Sequence, residues 1–442
     1  MDKIEKTKYL IVGNSAGGIG AAETIREFDK SGTMAIVSDE PYPAYSRPLI
    51  AEYLISRCSL ERMLFRPPDF YESNDIETIL GDRVTGIDFK KHTVTLASSR
   101  TLEWQKLLLA TGGMPIVPDI AGLGLKGVFS FITLDDAKAI DDFITRYRMP
   151  VRAVVIGGGL IGVSAAESLV KRGVRVTIVE MKDRILNTIL DEKASSIEAK
   201  AIAETGVEII TRHTVGKING DRLGGVRSAV LDDGRLMDCQ MVVVAIGVRP
   251  RLELVAGSDI KKNRGIIVDR FMAASRTDIY ACGDVAEAYE YIYGENRLTP
   301  IWPNAYLGGR VAGCNMAGGR AEYPGGTAMN SMKYFGVDTV SAGIVVPPDD
   351  SYEIIKEEYN GIYKKVVLKD GLIVGLVFSG DIEKSGIVYS LMKDGINVSG
   401  FKEALVAEDF GLVSLPEEIW RQKLAITASP VACQPNGSLV RK

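Results

Sequence analysis

Ala-Val-Val-Ile-Gly-Gly-Gly-Leu-Ile-Gly, residues 153–162, is the stretch that decides the fold. Its first four residues are apolar, as in a buried strand, and Gly157, Gly159 and Gly162 follow in a G-x-G-x-x-G pattern. The first glycine allows a tight turn, the second lets a ligand approach the backbone, and the third lets a helix pack closely on the strand. The pattern therefore predicts a strand, a loop and a helix that begins near Leu160.

The same stretch predicts a phosphate site, because the loop ends at the N-terminus of a helix. Unpaired N–H groups near Gly159, Leu160 and Ile161 would face the ligand, and the helix dipole favours an anion there. The next predicted strand ends at Glu180, 18 residues after Gly162. A carboxylate at that place accepts the ribose hydroxyls of adenosine and repels a 2′-phosphate. We therefore predict an NAD site and favour NAD over NADP.

An imperfect copy of the pattern lies near the N-terminus, with serine in place of the middle glycine. An apolar run at 9–12 leads into Gly-Asn-Ser-Ala-Gly-Gly at 13–18, and Asp39 and Glu40 stand after the next predicted strand. Two dinucleotide loops imply a hydride donor and a hydride acceptor, and the natural pair is FAD and NAD. We assign the first site to FAD, with Asp39, Glu40 and five loop residues: Gly13, Ser15, Ala16, Gly17 and Gly18.

Composition excludes several other classes of protein. Glycine supplies 46 of 442 residues, about 10% against an average near 7%. Apolar residues make up 46% and charged residues 25%, and the net charge of −4 argues against a protein that wraps nucleic acid. No run approaches the roughly 18–20 apolar residues of a membrane helix, and the N-terminus lacks the apolar core of a signal peptide.

The cysteines and histidines predict neither a disulfide framework nor a metal site. The five cysteines lie far apart without a C-x-x-C pair, and two histidines cannot build a histidine metal site. We therefore predict no metal and a cytoplasmic location.

The order of these units predicts the domain organisation. Two strand–loop–helix–strand units indicate parallel sheets with helices on both faces. From about residue 323 the pattern changes to alternating strands, with a hairpin signal at Asp370-Gly371. The predicted fold class is α/β, with two Rossmann-like FAD/NAD(P)-binding domains and a C-terminal α+β domain. We expect a discontinuous FAD-binding domain, an NAD-binding domain, an interface or dimerisation-like domain and a flexible tail, at 1–114 with 245–322, 115–244, 323–424 and 425–442.

Five motifs in this order resemble the FAD-dependent pyridine nucleotide oxidoreductases with two dinucleotide-binding domains. They are the two glycine loops, Ala-Tyr-Ser-Arg-Pro-Leu at 44–49, Leu-Ala-Thr-Gly at 109–112 and Ile-Tyr-Ala-Cys-Gly-Asp at 279–284. The chain resembles most the branch of rubredoxin and ferredoxin reductases, NADH oxidases and the flavin part of nitrite reductase large subunits. Residues 363–381 are similar to the C-terminal domain of the nitrite and rubredoxin reductase group.

This resemblance implies roles for individual residues. Glu40 would hold the adenosine ribose of FAD, and Arg47 and Pro48 would lie beside its pyrophosphate and flavin. Asp284 would accept a ribityl hydroxyl, and a helix that begins near Trp302 would point its N-terminus at the flavin. The remaining implied FAD residues are Thr111, Gly112, Gly283, Asn304 and Ala305. The remaining implied NAD residues, where the chain returns from the NAD domain, are Ala245, Ile246 and Gly247.

The chain departs from these relatives at three positions beside the flavin. Disulfide reductases and NADH oxidases need a redox cysteine where this chain has Ser46, and serine forms neither a thiolate nor a mixed disulfide. Many relatives also place a Lys–Glu pair beside the flavin and the nicotinamide, and the matching positions here are Glu52 and Ser164. We therefore expect the flavin itself to pass electrons onward.

These observations predict an oxidoreductase that moves electrons between NAD(H) and a small redox protein by hydride transfer to FAD. The partner would be of the rubredoxin or ferredoxin type, or an iron–sulfur subunit of a larger enzyme, and the question of a homodimer stays open. An NADH oxidase, peroxidase or disulfide reductase is the alternative, which Ser46 disfavours. A second alternative is a non-catalytic flavoprotein that senses nucleotides.

Overall fold

The first glycine loop follows the central strand of a seven-stranded sheet. The computed structural model describes residues 5–147, 150–425 and 434–435. Its first elements are β1 (Glu5–Val12), α1 (Ala16–Phe28), β2 (Met34–Ser38), α2 (Ile50–Leu54), α3 (Leu60–Met63), α4 (Phe70–Ser73), β3 (Ile76–Leu80), β4 (Val84–Asp88), β5 (Thr93–Leu96), β6 (Thr101–Leu109) and β7 (Gly113–Pro115). The order β3-β2-β1-β6-β5-β4 places β1 between β2 and β6, and it pairs with both in parallel.

The second glycine loop follows the central strand of a five-stranded parallel sheet. The elements of this part are β8 (Val128–Phe129), α5 (Leu134–Arg146), β9 (Arg152–Ile156), α6 (Leu160–Lys171), β10 (Arg175–Glu180), α7 (Glu192–Glu204), β11 (Glu208–Thr211), β12 (Val215–Gly220), β13 (Val226–Leu231), β14 (Leu236–Asp238) and β15 (Met241–Val244). The sheet has the order β11-β10-β9-β15-β8, and β12, β13 and β14 form a separate antiparallel sheet beside it.

The chain then returns to the first sheet. The elements are β16 (Val248–Pro250), β17 (Ile266–Ile267), β18 (Ile279–Ala281), β19 (Ala286–Glu290), β20 (Glu295–Arg297), α8 (Trp302–Met316) and β21 (Gly319–Arg320). β18 pairs with β6 in parallel and completes the first sheet. β16 pairs antiparallel with β7, so the two crossings between the sheets lie side by side.

The C-terminal domain is built on a five-stranded antiparallel sheet of order β22-β23-β26-β25-β24. Its elements are β22 (Met329–Tyr334), β23 (Val337–Gly343), β24 (Glu353–Tyr359), β25 (Ile362–Lys369), β26 (Leu372–Ser379), α9 (Ser385–Lys393) and α10 (Glu417–Ala425). Asp370 and Gly371 have φ angles of +52° and +75°, which confirms the predicted hairpin between β25 and β26. The predicted fold class is confirmed by these sheets.

Most of the predicted tail at 425–442 lies outside the described residues. Its described part includes β27 (Gln434–Pro435), which pairs with β21. Cys314 is disulfide-bonded, which the cysteine pattern did not lead us to expect, while Cys58, Cys239 and Cys282 are free thiols. The cytoplasmic location inferred from that pattern stays a prediction. Within the described residues no helix is long and apolar enough to cross a membrane.

Glycines bring α1 and α8 into backbone contact under the first glycine loop. A Cβ at Gly309 would stand 2.0 Å from the Gly17 carbonyl oxygen, and one at Gly313 would stand 2.4 Å from the Ala21 oxygen. Real Cβ atoms essentially never approach that closely, so side chains there would force the helices apart. Part of the glycine excess therefore serves helix packing and not ligand binding.

We predict that Gly313→Ala lowers the unfolding midpoint, because its methyl group overpacks the contact with α1 at a cost of about 1–3 kcal/mol. Gly386→Ala on α9 is the matched control, since its Cβ would meet nothing within 4 Å. There the higher helix propensity of alanine should stabilise the protein by up to about 1 kcal/mol. Calorimetric unfolding of both variants tests this, and equal shifts would contradict it.

A buried carboxyl group joins α7 to the C-terminal sheet. Glu198 is fully buried, and its Oε1 accepts a hydrogen bond of 2.8 Å from the Thr339 hydroxyl. Its Oε2 has no partner among the described residues. Burial raises the pKa of Glu198 to about 7, with smaller contributions from Glu167 on α6 and Asp338 on β23, against the opposing effect of Thr339. This contact therefore favours the protonated form of Glu198.

We predict that Glu198→Gln makes the protein less sensitive to pH. The native state keeps the proton of Glu198 to a higher pH than the unfolded chain, so its contribution is present below about pH 4.5 and is lost as pH rises through about 7. The loss amounts to at most about 3 kcal/mol, which the glutamine variant should avoid. Unfolding midpoints at pH 5 and pH 8 measure it, with Glu204→Gln on the exposed face of α7 as control. A wild type and variant that respond alike to pH would contradict the prediction.

Candidate active site

One cavity of about 1340 Å³ connects the two glycine loops. It lies at the carboxyl ends of β1 and β9, which is where open parallel sheets bind ligands. A pocket for one small ligand usually measures roughly 300–1,000 Å³. The volume therefore suits more than one ligand.

The first glycine loop is held tightly against the end of β6. Gly13 has a φ of +124°, and a Cβ there would stand 2.1 Å from the carbonyl oxygen of Ala110. A Cβ at Gly18 would stand 2.0 Å from the Gly13 oxygen, so this glycine packs the helix on the strand and does not line the cavity. Ser15 and Ala16 line the cavity at the start of α1.

The second loop repeats this geometry beside β15. Gly157 has a φ of +106°, and its Cβ would stand 2.4 Å from the Ala245 oxygen. A Cβ at Gly162 would stand 1.9 Å from the Gly157 oxygen, so Gly162 also serves packing. Gly159 differs, because its Cβ would meet nothing within 4 Å and it lines the cavity. These places match the separate roles that the sequence pattern predicts for the three glycines.

Three helix N-termini reach the cavity wall without a side-chain cap. Ser15 precedes α1, Gly159 precedes α6 and Ile301 precedes α8, and no side-chain hydrogen bond caps any of these helices among the described residues. The N–H groups of a first helical turn need partners outside the helix. Anionic or hydrogen-bond-accepting ligand groups can supply them at the positive end of the helix dipole.

Glu180 supports the second loop while it lines the cavity. Its Oε2 accepts a hydrogen bond of 2.6 Å from the Gly158 N–H, and its Oε1 accepts one of 2.7 Å from the Lys182 N–H. The carboxylate is buried, and each oxygen keeps a further lone pair. Glu180 is therefore fixed in position and can still accept from a ribose hydroxyl.

Paired charges line the other end of the cavity. Glu40 forms an ion pair with Arg47 and accepts a hydrogen bond from the Tyr45 hydroxyl. Asp39 is 2.6 Å from Nη1 of Arg251, whose buried Nε has no partner among the described residues. This free donor belongs to a cavity-lining residue, so it is available to a ligand.

The Gly-Asp motif contributes one carboxyl group and one thiol to the wall. Burial raises the pKa of Asp284, against the opposing effect of nearby Arg47. Burial also raises the pKa of the Cys282 thiol to about 12, and its sulfur packs so near Gly17 that a Cβ there would stand 2.7 Å away. Among the described residues Cys282 is the only cysteine on the cavity wall, and it stays a thiol at neutral pH.

Most of the predicted site residues meet at this cavity. Five do not line it: Gly18, Gly162, Asn304, Ser46 and Glu52. Asn304 donates instead to the Thr327 carbonyl at 3.1 Å. Those that do line it are Gly13, Ser15, Ala16, Gly17, Asp39, Glu40, Arg47, Pro48, Thr111, Gly112, Gly283, Asp284, Ala305, Gly157, Gly159, Leu160, Ile161, Glu180, Ala245, Ile246, Gly247 and Ser164.

Sequence reasoning missed several wall residues. Arg251 directly follows the Arg249-Pro250 pair at the return to the first sheet, so a local signal for it existed. Tyr334 lies in the C-terminal domain, where no motif singled it out. Other missed residues with polar side chains include Asn14, Tyr42, Tyr45, Arg83, Lys182 and Thr214.

These features fit two dinucleotides. The volume exceeds that of an ordinary single-ligand pocket, the ends of α1 and α6 keep their N–H donors, and the wall at Gly159 leaves room for a group that contacts the backbone. The free Nε of Arg251 adds a charged donor.

The family model described as Pyridine nucleotide-disulphide oxidoreductase matches residues 7–309. The chain belongs to this family. A second model, Rubredoxin NAD+ reductase C-terminal domain, matches residues 329–396. As a member of the pyridine nucleotide-disulphide oxidoreductases, the protein is an oxidoreductase that uses FAD and NAD(H).

Two curated relatives of this oxidoreductase cover most of the chain. The NADH-dependent phenylglyoxylate dehydrogenase subunit epsilon of Aromatoleum evansii is 30% identical over 95% of this chain and 100% of that protein. The nitrite reductase [NAD(P)H] of Bacillus subtilis is 31% identical over 89% of this chain. The chain spans only 48% of the length of that nitrite reductase.

Solved structures share the fold of this oxidoreductase. The reductase of a covalent putidaredoxin reductase–putidaredoxin complex has a TM-score of 0.84 at 23% identity, over 94% of this chain and 98% of that one. NADH:rubredoxin oxidoreductase from Clostridium acetobutylicum has a TM-score of 0.72 at 27% identity, over 91% of this chain and 99% of that one.

We predict that Gly159→Ala and Gly162→Ala separate nucleotide binding from folding. The alanine at 159 has free space and an ordinary φ, so the unfolding midpoint should stay unchanged while its methyl group weakens NAD⁺ binding at least tenfold. The alanine at 162 overlaps the Gly157 oxygen and should destabilise the protein by about 1–3 kcal/mol. Calorimetric NAD⁺ titration and thermal unfolding measure the two effects. Unchanged NAD⁺ affinity in the first variant would contradict the assignment.

Proposed function

We propose that this oxidoreductase passes electrons between NAD(H) and a small iron–sulfur or rubredoxin-like protein, or an iron–sulfur subunit of a larger enzyme. The observation that carries the proposal is a cavity for two dinucleotides whose one described cysteine, Cys282, is held as an unreactive thiol. The C-terminal domain supports it, because residues 329–396 match a rubredoxin NAD+ reductase domain.

The first part of the proposal concerns where each cofactor binds. FAD would occupy the end of the cavity with the first glycine loop, Glu40, Arg47 and Asp284, and NAD(H) the end with the second loop and Glu180. FAD, when bound, supplies a group that accepts a hydride and can release electrons singly. The chain's own residues bind and orient the two dinucleotides along one cavity and keep water from the space between them.

The second part concerns the domain boundaries. We assign residues 1–114 and 245–322 to the FAD domain, 115–244 to the NAD domain and 323–424 to the C-terminal domain. Pairing of β7 with β16 supports the boundaries near 114 and 245, because both crossings between the two sheets occur there.

The third part concerns the missing redox cysteine. Ser46 stands where relatives that reduce disulfides carry the cysteine, and it lies outside the cavity wall, where its N–H donates to the Met63 carbonyl at 2.8 Å. Cys58 is also outside the wall. No described thiol is therefore placed to relay electrons from the flavin, which favours direct transfer to a protein partner.

We predict that anaerobic mixing with NADH bleaches the flavin absorbance, and that oxidised rubredoxin or ferredoxin restores it faster than peroxide or a small disulfide does. NADPH serves as the control nucleotide and should act more slowly, since the Glu180 carboxylate repels a 2′-phosphate. Rapid mixing with absorbance detection measures each rate.

Thiol alkylation distinguishes this function from its alternative. Treatment with iodoacetamide should leave flavin reduction and partner reduction unchanged, because the Cys282 thiol is protonated and buried. A flavin that stays oxidised with both nucleotides would refute the proposal. Rapid turnover of peroxide or disulfide without a partner, abolished by alkylation, would instead establish the oxidase or disulfide reductase.

A further inference from the structure

One residue of the C-terminal domain reaches the cavity. Among the described residues, Tyr334 is the only wall residue that comes after Ala305 in the chain. It ends β22, and the next two residues, Phe335 and Gly336, have φ angles of +48° and +90° and turn the chain into β23. The tip of this hairpin thus places a phenol on the wall of the cavity.

Contacts with α6 fix this hairpin tip. The Phe335 N–H donates to Oε1 of Glu167 at 2.9 Å, and Glu167 forms an ion pair of 2.8 Å with Lys171. Ser164 lies three residues before Glu167 and therefore on the same face of the helix. Its hydroxyl forms a hydrogen bond with Tyr334.

The phenol of Tyr334 keeps a proton for a ligand. Burial raises its pKa to about 12, and the hydrogen bond with Ser164 lowers it in opposition. Such a bond lowers a phenol pKa when the serine donates to the phenol oxygen, since this favours the charged form. The proton of Tyr334 is then free, and among the described residues no acceptor for it is present.

We propose that Tyr334, positioned by Ser164, binds the carboxamide oxygen of the nicotinamide ring of NAD(H). Ser164 lies five residues after Gly159, about 7.5 Å along α6 from the helix end that suits the phosphates. A dinucleotide anchored at that end extends along the cavity towards the first loop and passes this pair. Its nicotinamide carboxamide offers the acceptor that Tyr334 lacks.

This assignment makes the C-terminal domain part of the NAD(H) site. It also replaces the Lys–Glu pair of many relatives with a Ser–Tyr pair that carries no charge. The proposal rests on NAD(H) binding at the second loop and not on the identity of the electron acceptor, so the two can fail separately.

The test compares NAD⁺ with ADP-ribose, which lacks the nicotinamide, on the FAD-loaded full-length protein. In Tyr334→Phe, calorimetric titration should show NAD⁺ binding weakened roughly three- to tenfold and ADP-ribose binding unchanged. Ser164→Ala should weaken NAD⁺ binding in the same direction. Tyr352→Phe is the matched control, because Tyr352 is in the C-terminal domain but outside the cavity wall, and it should change neither affinity.

Each other outcome overturns the proposal. Unchanged NAD⁺ affinity in Tyr334→Phe would remove the carboxamide contact, whatever the rate of partner reduction. An equal loss for NAD⁺ and ADP-ribose would show that Tyr334 only supports the wall. A shifted flavin absorbance spectrum with normal NAD⁺ affinity would assign the phenol to the flavin.

Discussion

The contact between each glycine loop and the strand end beside it is the constraint on which the rest of the structure depends. Gly13 lies against Ala110 and Gly157 lies against Ala245, both closer than a side chain would permit. Each alanine N–H in turn donates to the strand before the loop, from Ala110 to Val12 at 2.9 Å and from Ala245 to Ile156 at 2.8 Å. The strand end, the loop and the following helix therefore meet at one point in both sheets.

The two alanines also begin the crossings between the sheets. The chain leaves the first sheet just after Ala110 and returns just after Ala245, and β7 and β16 pair between these points. The hinge region of the molecule is thus anchored directly on its two phosphate loops. Any rotation of one sheet against the other must act on the residues that shape both ends of the cavity.

Local patterns predicted the sheets and loops, whereas contacts between distant residues escaped prediction. The βαβ units could be predicted because strand, glycines and helix follow one another within about 30 residues. The α1–α8 contact through Gly17 and Gly309 could not, since glycines in a helix carry no sign of what they pack against. For the same reason Ser164 was placed beside the nicotinamide, but its partner Tyr334, which is 170 residues away, was missed. The disulfide at Cys314 is likewise absent from any local motif.

The chemistry of the site follows from what the wall lacks as much as from what it holds. Its acidic and basic side chains largely neutralise one another, as in the Glu40–Arg47 and Asp39–Arg251 pairs, so helix N-termini remain as the free positive groups for phosphates. Burial keeps the thiol of Cys282 protonated, and a protonated thiol is neither a nucleophile nor a redox partner. A flavin in such a site has no thiol through which to pass electrons, and the acceptor must approach the flavin itself. That requirement favours a protein with an exposed one-electron centre over a small disulfide.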